Sequence, residues 1–217
     1  MHDLILLFLE NTRDSIYMTV VSTLIAYVIG LPLGILLVVT AADGIRPLRA
    51  LNKVLGALVN LLRSFPFLIL LFVISPFTRL VVGTTLGPNA TIVALVVAAA
   101  PFIARMVESS LREVDGNVIE AAQSMGSSSL QIIMKVMLPE SRSSLILNAA
   151  IALTTILGYS AMAGIVGGGG LGDLAIRYGY YRYQYNIMYI AVFLLVLIVE
   201  VMQGIGLMLA KKLDKRL

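Results

Sequence analysis

The stretch EAAQSMGSSSLQIIMKVMLP, residues 120–139, decides how the chain is arranged. It holds no strongly apolar run, yet it lies between two segments that are apolar almost throughout. Of 217 residues, 59% are hydrophobic and 13% are charged, and the mean hydropathy is +0.96. Soluble domains carry about 25% charged residues, so this composition belongs to the membrane class. Crossing the hydrocarbon takes roughly 20 apolar residues per helix. Five segments qualify, at about 16–41, 54–77, 89–107, 144–166 and 187–210. The expected fold is an all-α integral membrane protein with about five transmembrane helices, and residues 113–140 form the polar loop between the third and fourth.

The positions of Lys and Arg orient these spans. With the C-terminus in the cytoplasm, eleven of them fall inside and four outside (Arg13, Arg79, Arg177 and Arg182), while Arg63 lies within a span. The quoted stretch is then cytoplasmic, as is a basic tail at 211–217. Residues 1–15 form an extracytoplasmic lead-in. They open with an acid rather than a basic region, and their apolar run is too short for a signal peptide. With no Cys, disulfides and thiolate metal sites are excluded. The net charge of +4 reflects this topology rather than a nucleic-acid partner.

Within the stretch and just before it, the spacing predicts two short helices. Asp115 caps a helix running to about Met125, and Gly126 occupies the left-handed position that follows a helix end. Val118, Ala121, Ala122 and Met125 share one face. Ser128 with Gln131 three residues later has the form of a capping box. Leu130, Ile133, Met134 and Met137 repeat the spacing, and Pro139 is expected to end the helix and turn the chain toward the bilayer. Three readings fit such a glycine-jointed pair. It folds back on its own spans, or it docks on a separate partner, or it reads DNA. The last is poor, because both ends are tethered to spans and Lys135 is the only base within it.

The stretch resembles the EAA loop of permease subunits in bacterial ABC importers. That pattern is EAA, three residues, Gly, nine residues, then I-x-L-P. Here it reads Glu120, Ala121, Ala122, Gly126, Val136 (for Ile), Leu138 and Pro139. The resemblance implies that the loop carries the coupling helix, which docks in a groove of the ATPase subunit. Further segments are similar to the methionine-uptake branch: RSFPF (63–67), PFTRLVVGTTLG (76–87), AAAPFIARMVE (98–108), GYSAMAG (158–164) and GGGGLG (167–172). The likeness covers about residues 19–203 and implies one permease domain over 16–210. It also implies a homodimeric pore, two ABC ATPase subunits and an extracytoplasmic substrate-binding lipoprotein, in a bacterial inner membrane. Methionine as substrate rests on the branch similarity alone.

Other chemistry is missing. No G-x-x-x-x-G-K-[ST] occurs, so ATP and Mg belong to a partner chain and this chain is expected to hold no cofactor or metal. The only His is His2, and no catalytic motif is present. A self-sufficient ion-coupled carrier or channel is the main alternative, although Glu200 is the only acid in mid-span and no inverted repeat is evident.

Three further groups stand out. Met162, with Tyr159 and Ser160 beside it, is the candidate pore gate. In a symmetric dimer two thioethers would meet as a plug that excludes water, and the alternative is a helix-packing seam. After Gly167–Gly170, five Tyr fall between 178 and 185. Asp173, Arg177, Tyr178, Tyr181 and Arg182 are candidates for docking the binding protein, and an interfacial aromatic belt is the other account. Arg63 and Glu200 lie at similar depth and are candidates to pair, unless Pro66 breaks the second span and Arg63 reaches lipid phosphates. Gly30-x-x-x-Gly34 is a small-residue motif expected to pack or kink the first span.

Overall fold

In the computed structural model, which describes residues 2–213, helices account for nearly the whole chain. Helix α1 (His2–Val39) is followed by α2 (Arg49–Arg63), α3 (Phe67–Val73), α4 (Ser75–Val82) and α5 (Pro88–Arg112). Two short helices come next, α6 (Gly116–Ser124) and α7 (Ser129–Ile132). A π turn (Ile133–Met137) and α8 (Leu138–Glu140) lead into the long α9 (Arg142–Ala163). The last elements are α10 (Gly170–Leu174), a second π turn (Ala175–Tyr180) and α11 (Tyr185–Leu213). The end of the basic tail, with Lys215 and Arg216, lies outside the described residues.

Contacts between helices fix their directions. Tyr17, midway along α1, donates to Asn89 (3.1 Å) at the start of α5, and Asp43, just past the end of α1, meets Arg112 (3.4 Å) at the end of α5. The two helices therefore run parallel, and the chain between them must return across the molecule. It does so through α2, α3 and α4, whose residues pair with α5 in reverse order. Arg105 reaches Gly56 and Asn60, whereas Thr78 lies beside Ala90 and Ala94. Asn148 on Ser110 (2.8 Å) and Thr91 on Gly168 (3.1 Å) make α9 antiparallel to α5. Ser143 on Ala210 (3.1 Å) makes α11 antiparallel to α9. The chain thus traverses the bundle five times, with α6 to α8 projecting as a knuckle at one end.

Residues 2–15 of the expected lead-in are helical and continuous with α1. The second span, expected over 54–77 with Pro66 as a candidate break, is two helices bent by 101° between Arg63 and Phe67. Pro66 has no N–H to donate back along a helix and keeps Phe65 out of helical geometry, so the break falls there. Pro139, in contrast, does not end its helix. The preceding turn widens to π geometry, with the Leu138 amide bonding Ile133 O, so helix continues through Pro139 to Glu140. The chain turns at Ser141, whose hydroxyl closes on Met137 O at 2.7 Å.

Lipid tails do not drive helices together, so close van der Waals fit must do so. The α1–α5 seam shows how. A Cβ on Gly30 would lie 2.7 Å from Ala100 O, and one on Gly34 would lie 2.6 Å from both Ala104 O and Val107 Cβ. The expected small-residue motif is thus a packing face, and its glycines let the α1 backbone rest on Ala100–Val107. Met18, Ala26, Leu95, Ile103 and Val107 are fully buried along the same core. Gly34→Leu should cost about 2 kcal/mol or more through overpacking. It will appear as a lower unfolding midpoint of the detergent-purified protein, while Val28→Leu, on the exposed side of α1, leaves the midpoint unchanged.

Candidate functional site

The knuckle is held by local chemistry that its sequence specifies closely. The Asp115 carboxylate accepts from Asn117 N at 2.9 Å and caps α6. Gly126 follows with φ +78°, a conformation that favours glycine because it has no Cβ to clash. The capping box at α7 is complete, with Gln131 N donating to Ser128 Oγ (3.3 Å) and Ser128 N donating to Gln131 Oε1 (2.8 Å). A cap of this kind contributes about 1 kcal/mol. Both short helices, and the angle between them, are therefore set before any partner arrives.

The apolar residues expected to share a face divide into two. Ala122, Ile132 and Met137 turn inward and join the core under α5 and α9. Val118 (44% exposed), Met125 (79%), Leu130 (69%) and Met134 (57%) turn outward. The knuckle does fold back on its own spans, and it also presents an uncovered apolar surface. The division runs within each short helix: Ala122 is the α6 position turned to the core between Val118 and Met125, and the π turn at Ile133–Met137 shifts the spacing so that Met137 points inward while Leu130 and Met134 do not. Of the EAA residues, Ala122 is buried and Gly126 sits at the joint. Glu120 lines a pocket of about 370 Å³ between α6 and the α1–α2 turn, shared with Asp43, Arg112 and Gln123. Leu138 is half-buried against the core and Pro139 is exposed.

Beneath the knuckle runs a polar ladder that sequence reading missed. Arg112 contacts Asp43 at 3.4 Å and Glu108 at 3.3 Å. Glu108, only 12% exposed, also pairs with Arg105. Arg105 in turn donates to Gly56 O (3.0 Å) and Asn60 Oδ1 (2.9 Å) on α2. Arg105, Glu108 and Arg112 follow the three- and four-residue spacing of one helix face, a charge pattern present in ARMVESSLR, residues 104–112. On the other side of the knuckle, Ser144 bonds Ser110 and Glu113. Arg142 donates to Leu213 O at 2.9 Å, where a cation suits the negative end of α11.

The remaining candidates are scattered. Met162 is 47% exposed on the outer side of α9. Tyr159 instead stacks on Phe67 (centroids 4.9 Å apart, planes at 4°). Ser160 is buried and donates to Leu157 O, so of the three only Met162 projects freely. At the end opposite the knuckle, the Asp173 side chain is largely buried and pairs with Arg177 at 2.7 Å. Tyr178 lies under both Arg177 and Arg182, with Arg182 4.5 Å from its ring centroid. Tyr181 is exposed and lies edge-on to Tyr180, with ring centroids 5.6 Å apart. Arg63 and Glu200 are both exposed and form no ion pair among the described residues, because α2 and α11 lie on different sides of the bundle.

Residues 30–216 match the family described as binding-protein-dependent transport system inner membrane component. The chain is 47% identical over 210 residues to the probable D-methionine transport system permease protein MetI of Vibrio cholerae, covering 97% of this chain and 93% of that one. It is 45% identical over 181 residues to the methionine import system permease protein MetP of Bacillus subtilis, covering 83% and 82%. Among solved structures, an inward-facing MetNI methionine ABC transporter superposes with a TM-score of 0.97 at 43% identity, covering 99% of this chain and 100% of that one.

Removing one partner of a largely buried ion pair strands the other. Arg105→Met should therefore cost about 3 kcal/mol, seen as a lower unfolding midpoint in detergent. Arg105→Lys, which keeps the charge but not the fork to α2, should restore part of it.

Proposed function

The chain belongs to the family of binding-protein-dependent transport system inner membrane components, and on that footing we propose that it is the pore-forming permease subunit of an ATP-driven methionine importer. Two copies enclose the pore in a bacterial cytoplasmic membrane, with the C-terminus in the cytoplasm. Two ABC ATPase subunits, which carry ATP and Mg, sit beneath, and an external binding lipoprotein delivers the amino acid. The observation that carries this reading is the uncovered face of Val118, Met125, Leu130 and Met134 on a preformed knuckle. Exposed apolar surface on a rigid frame is what a docking partner requires. The methionine permeases of V. cholerae and B. subtilis support the substrate.

Coupling follows from the construction. ATP binding draws the ATPases together and moves the knuckle that they grip. The caps at Asp115 and Ser128 resist local melting, so the push passes to the bundle rather than dissipating in the loop. Ser144, Asn148 and Arg142 join the base of the knuckle to α5 and α11, and these helices therefore shift as a set. The spans then exchange inward-open for outward-open, a rigid-body change between two packed arrangements. Glu120, open to its pocket beside Gln123, is placed to make a polar contact with the ATPase. Met162 from each copy closes the path by excluding water, and the outer Tyr–Arg surface at 177–183 receives the binding protein.

Two tests address separate steps. Gly126→Val has open space for its side chain but forces a β-branched residue to φ +78°. Strain of roughly 1–3 kcal/mol should leave membrane insertion intact, yet methionine uptake should fall by about tenfold per 1.4 kcal/mol relative to ATP hydrolysis. An unchanged ratio of uptake to hydrolysis would remove the coupling role. Met162→Ala should raise passive leak of small solutes from proteoliposomes containing the whole complex; tight vesicles with normal coupling would assign Met162 to packing.

A further inference from the structure

At the end of the bundle opposite the knuckle, α3, α4, the start of α5 and the glycine-rich turn after α9 enclose a cavity of about 150 Å³. Leu71, Phe72 and Val166 supply apolar wall, while Ser75, Thr78, Thr85 and Thr91 supply hydroxyls. None of the residues lining it is ionisable. Thr91 spends its hydroxyl on Gly168 O (3.1 Å), and Gly87 N bonds Gly167 O (2.9 Å), so the far wall is stitched shut. Ser75, Thr78 and Thr85 remain to meet an occupant.

The cavity adjoins the candidate gate along two routes. On α3, Phe67 stacks against Tyr159, and Leu71 of the cavity wall is one turn further on. On the other side, Val166 follows Met162 by four residues. The cavity thus lies just beyond Met162, away from the knuckle. Its chemistry excludes a charged head group, whose burial without a partner is costly. Its size suits a small uncharged group, since a cavity of about 150 Å³ accepts benzene. An unbranched thioether side chain has fewer heavy atoms than benzene, and its weakly accepting sulfur is compatible with hydroxyl donors.

We propose that this cavity is an outer subsite that receives the apolar side chain of the transported amino acid before it passes Met162. The ammonium and carboxylate stay in the aqueous lumen, and the side chain is held among Leu71, Phe72 and Val166. This inference rests on the reading of the chain as an amino-acid permease. Because α3, α4 and the glycine-rich turn all contribute wall, a change in their relative positions empties the subsite and passes its occupant on.

The test uses the permease in nanodiscs with its ATPase subunits and photo-methionine, a diazirine analogue, as the probe. Illumination followed by peptide mapping should place label on residues 71–78, 85–94 or 166–168, and excess L-methionine should displace it. Ser75→Phe, which fills the cavity from its rim, should lower that label about tenfold. The wild-type mapping stands even if this variant fails to assemble. Label confined to other segments, or label that excess methionine does not displace, in a complex that imports methionine would overturn the subsite and leave the permease reading intact. A wild-type complex that imports no methionine would overturn both.

Discussion

The structure depends on the parallel contact of α1 with α5 through Gly30 and Gly34. In hydrocarbon no water is released when two apolar faces meet, so helices adhere only where backbones approach closely enough for dispersion to accumulate. Two glycines one turn apart permit that approach, and polar contacts at the two ends of α5 (Asn89 with Tyr17, Arg112 with Asp43) hold its register. Everything else is arranged on this pair. α9 packs on both of them, α11 packs on α9, and the bent α2–α4 segment leans on α5.

That arrangement leaves mobility where transport needs it. The seam is stiff because its fit tolerates no sliding, whereas α2, α3 and α4 are short, mostly exposed and separated by breaks at Pro66 and Ile74. The knuckle is rigid within itself and joined to the bundle by three buried side chains, Ala122, Ile132 and Met137, together with the polar contacts at its base. A firm element attached by a limited set of contacts transmits displacement well, and such contacts exchange between discrete arrangements more readily than a packed core does.

Much of this was legible in the sequence, and what was legible was local. Asp115, the Ser128–Gln131 box and the left-handed Gly126 act within four residues, so composition and spacing sufficed to find them. The spans at 89–107, 144–166 and 187–210 are predominantly apolar, and each lies within a helix or its immediate extension. Most of what the sequence left open turned on where other helices lie. Hydropathy over 54–77 cannot show that the break at Pro66 becomes a bend of 101°, since α5 and α9 decide where α3 can rest. Pro139 continues its helix because an adjacent π turn absorbs the missing donor. The apolar residues of the knuckle separate into buried and exposed sets only once the core beneath them is known. The Arg105–Glu108–Arg112 ladder was readable in its spacing, but its tie to Asn60 and Gly56 is not a sequence property. The candidate site follows the same division. The EAA positions stand out as a motif, while the division of labour among Met162, Tyr159 and Ser160 appears only with Phe67 in place.

The parallel seam also has a consequence for biogenesis. Gly30 and Gly34 find their partners at Ala100–Val107, so α1 enters the bilayer about 70 residues before the chain that completes its face has been made. At roughly 5–20 residues per second, the newborn helix waits several seconds with a groove of bare backbone turned toward lipid. Over that interval it is open to capture by any other helix with a small-residue face, a second nascent copy of itself included.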